Sequence, residues 1–268
     1  MFGNEFAKRI GRTLTIAAIA VAFVGAAEPV SAATIIWGSP TTVAGDSDVD
    51  TTGTLVYAYN IGPSGVQATT INGVVFNAFA FPGQLDFLNT VTVGSVNFTE
   101  NPSNLQSYDF PSSATPFASL STAYKTMLSG GGTALLDSTI TATLGGLTAG
   151  QSYRLQWWTS DPANSQGVLN ETFATTTATS GSSSVTLDSN STNASGGLGQ
   201  YVIGTFTADS TTQTFDLNSP SGNTSPLING FQIRAVAVPE PSTCAMATTA
   251  ALGVAAAALR RFAGRRFG

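Results

Sequence analysis

Three groups of residues in this 268-residue chain have types and spacing that could do chemistry. Asp46, Asp48 and Asp50 alternate at i, i+2 and i+4, the opening spacing of an oxygen-ligand calcium loop. The next glycine, Gly53, comes two positions late for an EF-hand, and no glutamate stands at the twelfth position. The spacing reads first as a solvated acidic turn, with a single calcium on the sandwich as the alternative. Trp157 and Trp158 are adjacent within Ser152–Thr159, and neighbours in a strand face opposite ways. If Tyr153, Leu155 and Trp157 turn to a core, Trp158 faces the other way beside Arg154 and Gln156. An aromatic ring flanked by hydrogen-bonding side chains suits a sugar; the alternative is a Trp158 packed under a loop or helix. Glu100 and Glu171 are the only glutamates between residues 34 and 236. Two carboxylates can hydrolyse a glycoside without histidine, but no second acid accompanies either in a strand, and both read as surface residues.

What the chain lacks narrows the chemistry further. It has no histidine, and its one cysteine is Cys244, close to the C-terminus. Ser-His-Asp and Cys-His catalysis, histidine-based zinc sites and histidine-ligated haem are thereby excluded, and residues 34–236 can form no disulfide. Seven of the ten basic residues lie near the two ends, leaving Lys125, Arg154 and Arg234 against twelve acids in between. That balance argues against nucleic-acid partners.

The elements that must position these residues read as strands. Candidates are Thr34–Gly38, Thr54–Tyr59, Val91–Val93, Val96–Phe98, Ala134–Leu144, Ser152–Thr159, Glu171–Thr177, Ser183–Leu187, Tyr201–Thr207, Gln213–Leu217 and Leu227–Val236. Asn72-Gly73 between Thr69–Ile71 and Val74–Phe76 is a hairpin signal. Asn101–Pro116 reads as loop. Phe117–Leu128 is the one helical segment, with Phe117, Leu120, Tyr124, Met127 and Leu128 on one face and the Ser129–Gly132 run ending it. Many short strands with Gly-rich turns and one short helix predict an all-β fold, an antiparallel β-sandwich over residues 34–236. The passages T-A-T-L-G-G-L-T-A-G-Q-S-Y-R-L-Q-W-W and G-T-F-T-A-D-S-T-T-Q-T-F-D-L resemble secreted galactose-binding-like jelly rolls, and the first of them also resembles fibronectin type III domains.

Both ends read as addresses. Lys8, Arg9 and Arg12 precede an apolar Leu14–Ala27, a signal-peptide pattern over residues 1–32 with cleavage expected after Ala32 or Ala33. At the other end, Val238, Pro239, Glu240, Pro241, Ser242 and Thr243 lead into an uncharged run, 244–259, and then Arg260, Arg261, Arg265 and Arg266. Sixteen residues at ~1.5 Å each reach ~24 Å, short of a ~30 Å hydrocarbon core, and the arginines would stop transfer. This order over residues 238–268 resembles the PEP-CTERM sorting domain of bacterial exported proteins. The resemblance implies an exosortase as processing enzyme alongside signal peptidase, a transient hold on the inner membrane through the C-terminal helix, and delivery to the cell surface or exopolysaccharide matrix. Together these readings predict a non-enzymatic structural or adhesive module without a cofactor unless calcium binds. The alternatives are a carbohydrate-binding module using Trp158 and, more remotely, a glycoside hydrolase using Glu100 and Glu171.

Overall fold

The computed structural model describes residues 33–84, 86–100, 104–167, 170–219 and 222–237. The signal-peptide segment up to Ala32, the 238–243 motif, the 244–259 span and the terminal arginines lie outside them. Among the described residues, no helix is long and apolar enough to cross a membrane.

The strands, in chain order, are β1 (Ile36–Trp37), β2 (Thr41–Thr42), β3 (Thr54–Gly62), β4 (Thr69–Ile71), β5 (Val74–Ala80), β6 (Thr90–Val93), β7 (Val96–Thr99), β8 (Gln106–Asp109), β9 (Gly130–Thr133), β10 (Thr139–Leu144), β11 (Ser152–Thr159), β12 (Thr175–Ser180), β13 (Ser183–Asp188), β14 (Gln200–Thr207), β15 (Gln213–Asn218), β16 (Leu227–Ile228) and β17 (Gly230–Val236). The α-helix among the described residues is α1 (Thr122–Leu128). An eight-stranded sheet runs β1-β14-β11-β17-β3-β5-β4 with β2 also on β14; a six-stranded sheet runs β13-β12-β15-β10-β7-β6; β16-β9-β8 form a third.

Alternation decides how the two large sheets meet. In β11, Tyr153, Leu155 and Trp157 point to the same cluster as Phe231 and Ile233 of β17 and Val202 and Phe206 of β14. From the other sheet come Val96, Phe98, Ile140, Ala142, Leu144, Ala178, Phe215 and Leu217. Rings bridge the layers: Phe98 of β7 lies 5.3 Å from Phe79 and 5.7 Å from Phe231, both edge-on. This shared core makes the fold all-β and consistent with a sandwich of largely antiparallel sheets, as the strand pattern predicts. One pairing departs from it. β5 runs parallel to β3, with Tyr59 opposite Asn77, because the hairpin through β4 returns β5 to the inner position. Asn72 and Gly73 adopt φ of 49° and 75°, the left-handed pair that a tight hairpin of this twist requires.

The predicted helix divides in two. Phe117–Ser119 is a 3₁₀ turn, Leu120 is extended, and α1 starts where the Ser121 hydroxyl accepts the Tyr124 N–H at 3.1 Å. The apolar stripe survives the break, since Phe117, Tyr124, Met127 and Leu128 are buried together on the outer face of the eight-stranded sheet.

Three strands are not expected from the sequence, the two-residue β2 on β14 and two in the third sheet. β8 falls in the stretch expected to be loop, and β9 is the glycine run expected only to end the helix. A Cβ on Gly132 would stand 2.6 Å from Phe81 Cε1, and one on Gly131 2.5 Å from Leu227 Cδ1. Here glycine admits close packing rather than a turn.

Candidate functional site

The outer face of the eight-stranded sheet brings together the acidic turn and the Trp158 group. Beside Arg154, Gln156 and Trp158 of β11 stand Arg234, Gln232 and Gly230 of β17, each a register partner. Residues 44–53 cross this face and are held by four of those side chains. Gln156 Nε2 donates to the Asp48 carbonyl at 2.7 Å, and Gln156 Oε1 accepts the Asp50 N–H at 2.9 Å. Gln232 Nε2 donates both to the Asp50 carbonyl, at 2.9 Å, and to Gln156 Oε1, at 2.7 Å. Arg234 donates to the carbonyls of Thr51, Thr52 and Gly53 at 2.9–3.1 Å. Arg154 Nε reaches Asp50 Oδ2 at 2.5 Å.

Trp158 is buried, packed under the helix as the second of the two sequence readings has it, so the sugar platform does not form. Its ring lies 5.7 Å from Phe76, edge-on, and 6.1 Å from Tyr201, and it belongs to the cluster roofed by α1. The indole N–H donates to the Tyr124 hydroxyl at 2.8 Å. Trp158 does point away from Trp157, as two neighbours in a strand must. Facing away from Trp157 does not expose Trp158, because a sheet face can be covered by elements far away in sequence. Gln156 is buried with it, and Arg154 is engaged by Asp50.

The three aspartates are turned to protein donors. Asp46 Oδ1 accepts from the Ser121 hydroxyl at 2.6 Å. Asp48 Oδ2 accepts from the N–H groups of Ala44 and Gly45, at 2.7 and 2.9 Å, and from the Tyr124 hydroxyl at 3.3 Å. Asp50 accepts from Arg154 and, at 3.0 Å, from the Thr52 N–H. They fasten the segment to helix and sheet, and among the described residues no group of three or more acidic, histidine or cysteine side chains is placed to hold a metal.

Electrostatics follow from this packing. Burial alone would raise the Asp50 carboxyl, but hydrogen bonds from Arg154 and Thr52 and the guanidinium charge outweigh it and hold Asp50 below its ordinary value. Burial lowers Arg234, and the Asp50 charge pulls it back upward. Tyr124 is pushed far up, first by burial and then by the nearby Asp48 charge, so its hydroxyl stays protonated as a donor.

Glu100 and Glu171 are not the surface residues expected. Glu100 is 4% exposed and Glu171 fully buried. Glu100 Oε1 accepts from Asn104 at 3.4 Å, and Glu171 Oε1 accepts from the Tyr108 hydroxyl at 3.4 Å. They occupy different surroundings, Glu100 at the end of β7 and Glu171 beside the aromatic group of Tyr108, Phe110 and Phe173. Alternation leaves nothing near a lone acid to mark it as buried. Of the two expected cleavage residues only Ala33 is described, its carbonyl accepting from Gln213 Nε2 at 2.6 Å.

Gln232 and Arg234 are not among the residues the sequence marks as candidates. The signal is nonetheless there, since Phe231, Ile233 and Ala235 alternate with them just as Tyr153, Leu155 and Trp157 alternate with Arg154 and Gln156.

A different face is open. The outward positions of the six-stranded sheet are almost all threonine, serine, asparagine or aspartate. One cross-strand row reads Ser184, Thr179, Asp216, Thr141, Thr99 and Thr90, and the next reads Thr214, Thr143, Asn97 and Thr92. None is buried. Thr141 donates to Asp216 Oδ1 at 2.7 Å and Thr92 to Asn97 Oδ1 at 2.6 Å.

No family model matches the chain, and no curated protein matches it. One solved structure, from work described as "Structural basis for the promiscuous specificity of the carbohydrate-binding modules from the beta-sandwich super family", aligns over 75% of this chain and 98% of its own length. The identity is 12% and the TM-score 0.17, a superposition too loose to carry a conclusion about this chain.

Proposed function

We propose that the chain is an exported, non-enzymatic structural or adhesive module of the bacterial cell surface or extracellular matrix, its body a galactose-binding-like jelly roll. The observation that carries this reading is the use made of its reactive side chains. Arg154, Gln156, Trp158 and the three aspartates are engaged in closing one sheet face, while the opposite sheet offers a regular hydroxylated surface. Signal peptidase removes the first 32 or 33 residues. An exosortase acts at Val238–Thr243 after the 244–259 helix and its arginines have held the precursor in the inner membrane.

The intact mass of the protein recovered from the envelope of its native host tests this. The expected species begins at Ala33 or Thr34 and lacks Arg260, Arg261, Arg265 and Arg266. A mature species that keeps all four arginines would overturn the sorting.

A further inference from the structure

We propose that the outward face of the six-stranded sheet binds an uncharged polysaccharide laid across the strands. This rests on the reading of the chain as a matrix module and names the partner its open surface fits. The row from Ser184 through Thr179, Asp216, Thr141 and Thr99 to Thr90 crosses all six strands without interruption. Strands lie ~4.8 Å apart, a spacing comparable to one pyranose unit of an extended glycan, so successive sugars would meet successive strands. Each threonine offers one donor, two acceptors and a methyl group, which matches the mixed hydroxyl and C–H surface of a sugar. Threonine is also stiff at χ1 and the strands fix its backbone, so little side-chain freedom is lost on binding.

Charge selects among glycans. The six strands contain no lysine or arginine. The three cations of the body lie elsewhere: Arg154 and Arg234 grip residues 50–53, and Lys125 donates to the Ala118 carbonyl. Asp188 and Asp216 are the charges on the hydroxylated face, so an anionic polymer is repelled and a neutral one is not. At the β6 end the row meets a shallow concavity of about 510 Å³ lined by Asn89, Thr90, Thr99, Glu100, Thr139 and Thr141.

The test is affinity electrophoresis of the full-length protein through gels containing dextran, laminarin, galactomannan or xylan, with alginate as the anionic comparison. The parent is expected to be retarded by at least one neutral polymer and not by alginate. The double variant Thr99→Val, Thr141→Val should bind that polymer at least tenfold more weakly, while Thr70→Val, on exposed β4 of the other sheet, binds as the parent does. Thr139→Arg, which fills the concavity, gives a second loss independent of the first, and melting curves establish that each variant is folded. Failure of every neutral polymer to retard the parent, or equal retardation of the folded double variant, overturns the proposal without touching the export reading. Sedimentation of the same proteins covers the other occupant, since self-association lost in the double variant would assign the face to a second copy and also overturn it.

Discussion

Arg154 and Arg234 are register partners on β11 and β17, two like charges placed side by side on the covered face of the larger sheet. Opposed like charges in a sheet are destabilising, and Asp50 compensates them. Its carboxylate pairs with Arg154 at 2.5 Å, and its charge favours the protonated form of Arg234. Asp50→Asn should therefore cost about 1.5–3 kcal/mol, the range for hydrogen bonds to charged groups. In urea denaturation, Arg154→Gln should cost less in the Asp50→Asn background than in the parent, with a coupling of about 0.5–3 kcal/mol. Strictly additive losses would show that the two residues act separately.

The same pair sets a pH dependence. Asp50 is held below its unfolded value, so it contributes stability above the unfolded carboxylate range, near pH ~4, and that contribution is lost as pH falls through the folded value. The gap in melting temperature between parent and Asp50→Asn should be widest near neutrality and should close on acidification below about pH 4. A gap that widens on the acid side would have the wrong sign.

Tyr124 joins helix to sheet through one hydroxyl that accepts from the Trp158 indole and donates to Asp48. Tyr124→Phe keeps the ring and removes both bonds, leaving a buried indole N–H without its acceptor. The expected loss is about 1–3 kcal/mol by chemical denaturation. A loss within a few tenths of the parent would mean that the hydroxyl is not part of the fastening.

Much of the fold can be read from local pattern, and the site much less so. Ser152–Thr159, the Asn72-Gly73 hairpin and the helix stripe follow from periodicity and turn chemistry, which depend on near neighbours. The faces of β11 also follow, since Tyr153, Leu155 and Trp157 alternate with polar residues. Whether Trp158 is open or roofed depends on residues 44–53 and 117–128, thirty or more positions away, and alternation along one strand carries no such information. The Asp46, Asp48 and Asp50 spacing is real, but a spacing does not tell a metal loop from a segment whose carboxylates meet Ser121, Tyr124 and Arg154. The burial of Glu100 and Glu171 is illegible for the same reason, their partners being set by tertiary packing.

The glycine run is the clearest case of a local signal with the wrong reading. Gly132 looks like a helix terminator, yet it sits in β9 against the ring of Phe81. Gly132→Ala would bring a methyl within 2.6 Å of that ring and should destabilise by about 1–3 kcal/mol, the usual cost of overpacking. Thermal unfolding gives the answer. An unchanged or higher melting temperature would show that β9 has room to spare.

Closure of the Trp158 face is tested most directly by hydrogen exchange at the Trp158 indole, followed by NMR and assigned by the resonance missing in Trp158→Phe. Under a roof of α1 and residues 44–53, with its N–H bonded to Tyr124, that proton should exchange as slowly as the core amides of β11, through opening of the whole domain. Exchange as fast as in a solvent-exposed tryptophan would contradict a sealed face and return Trp158 to the surface.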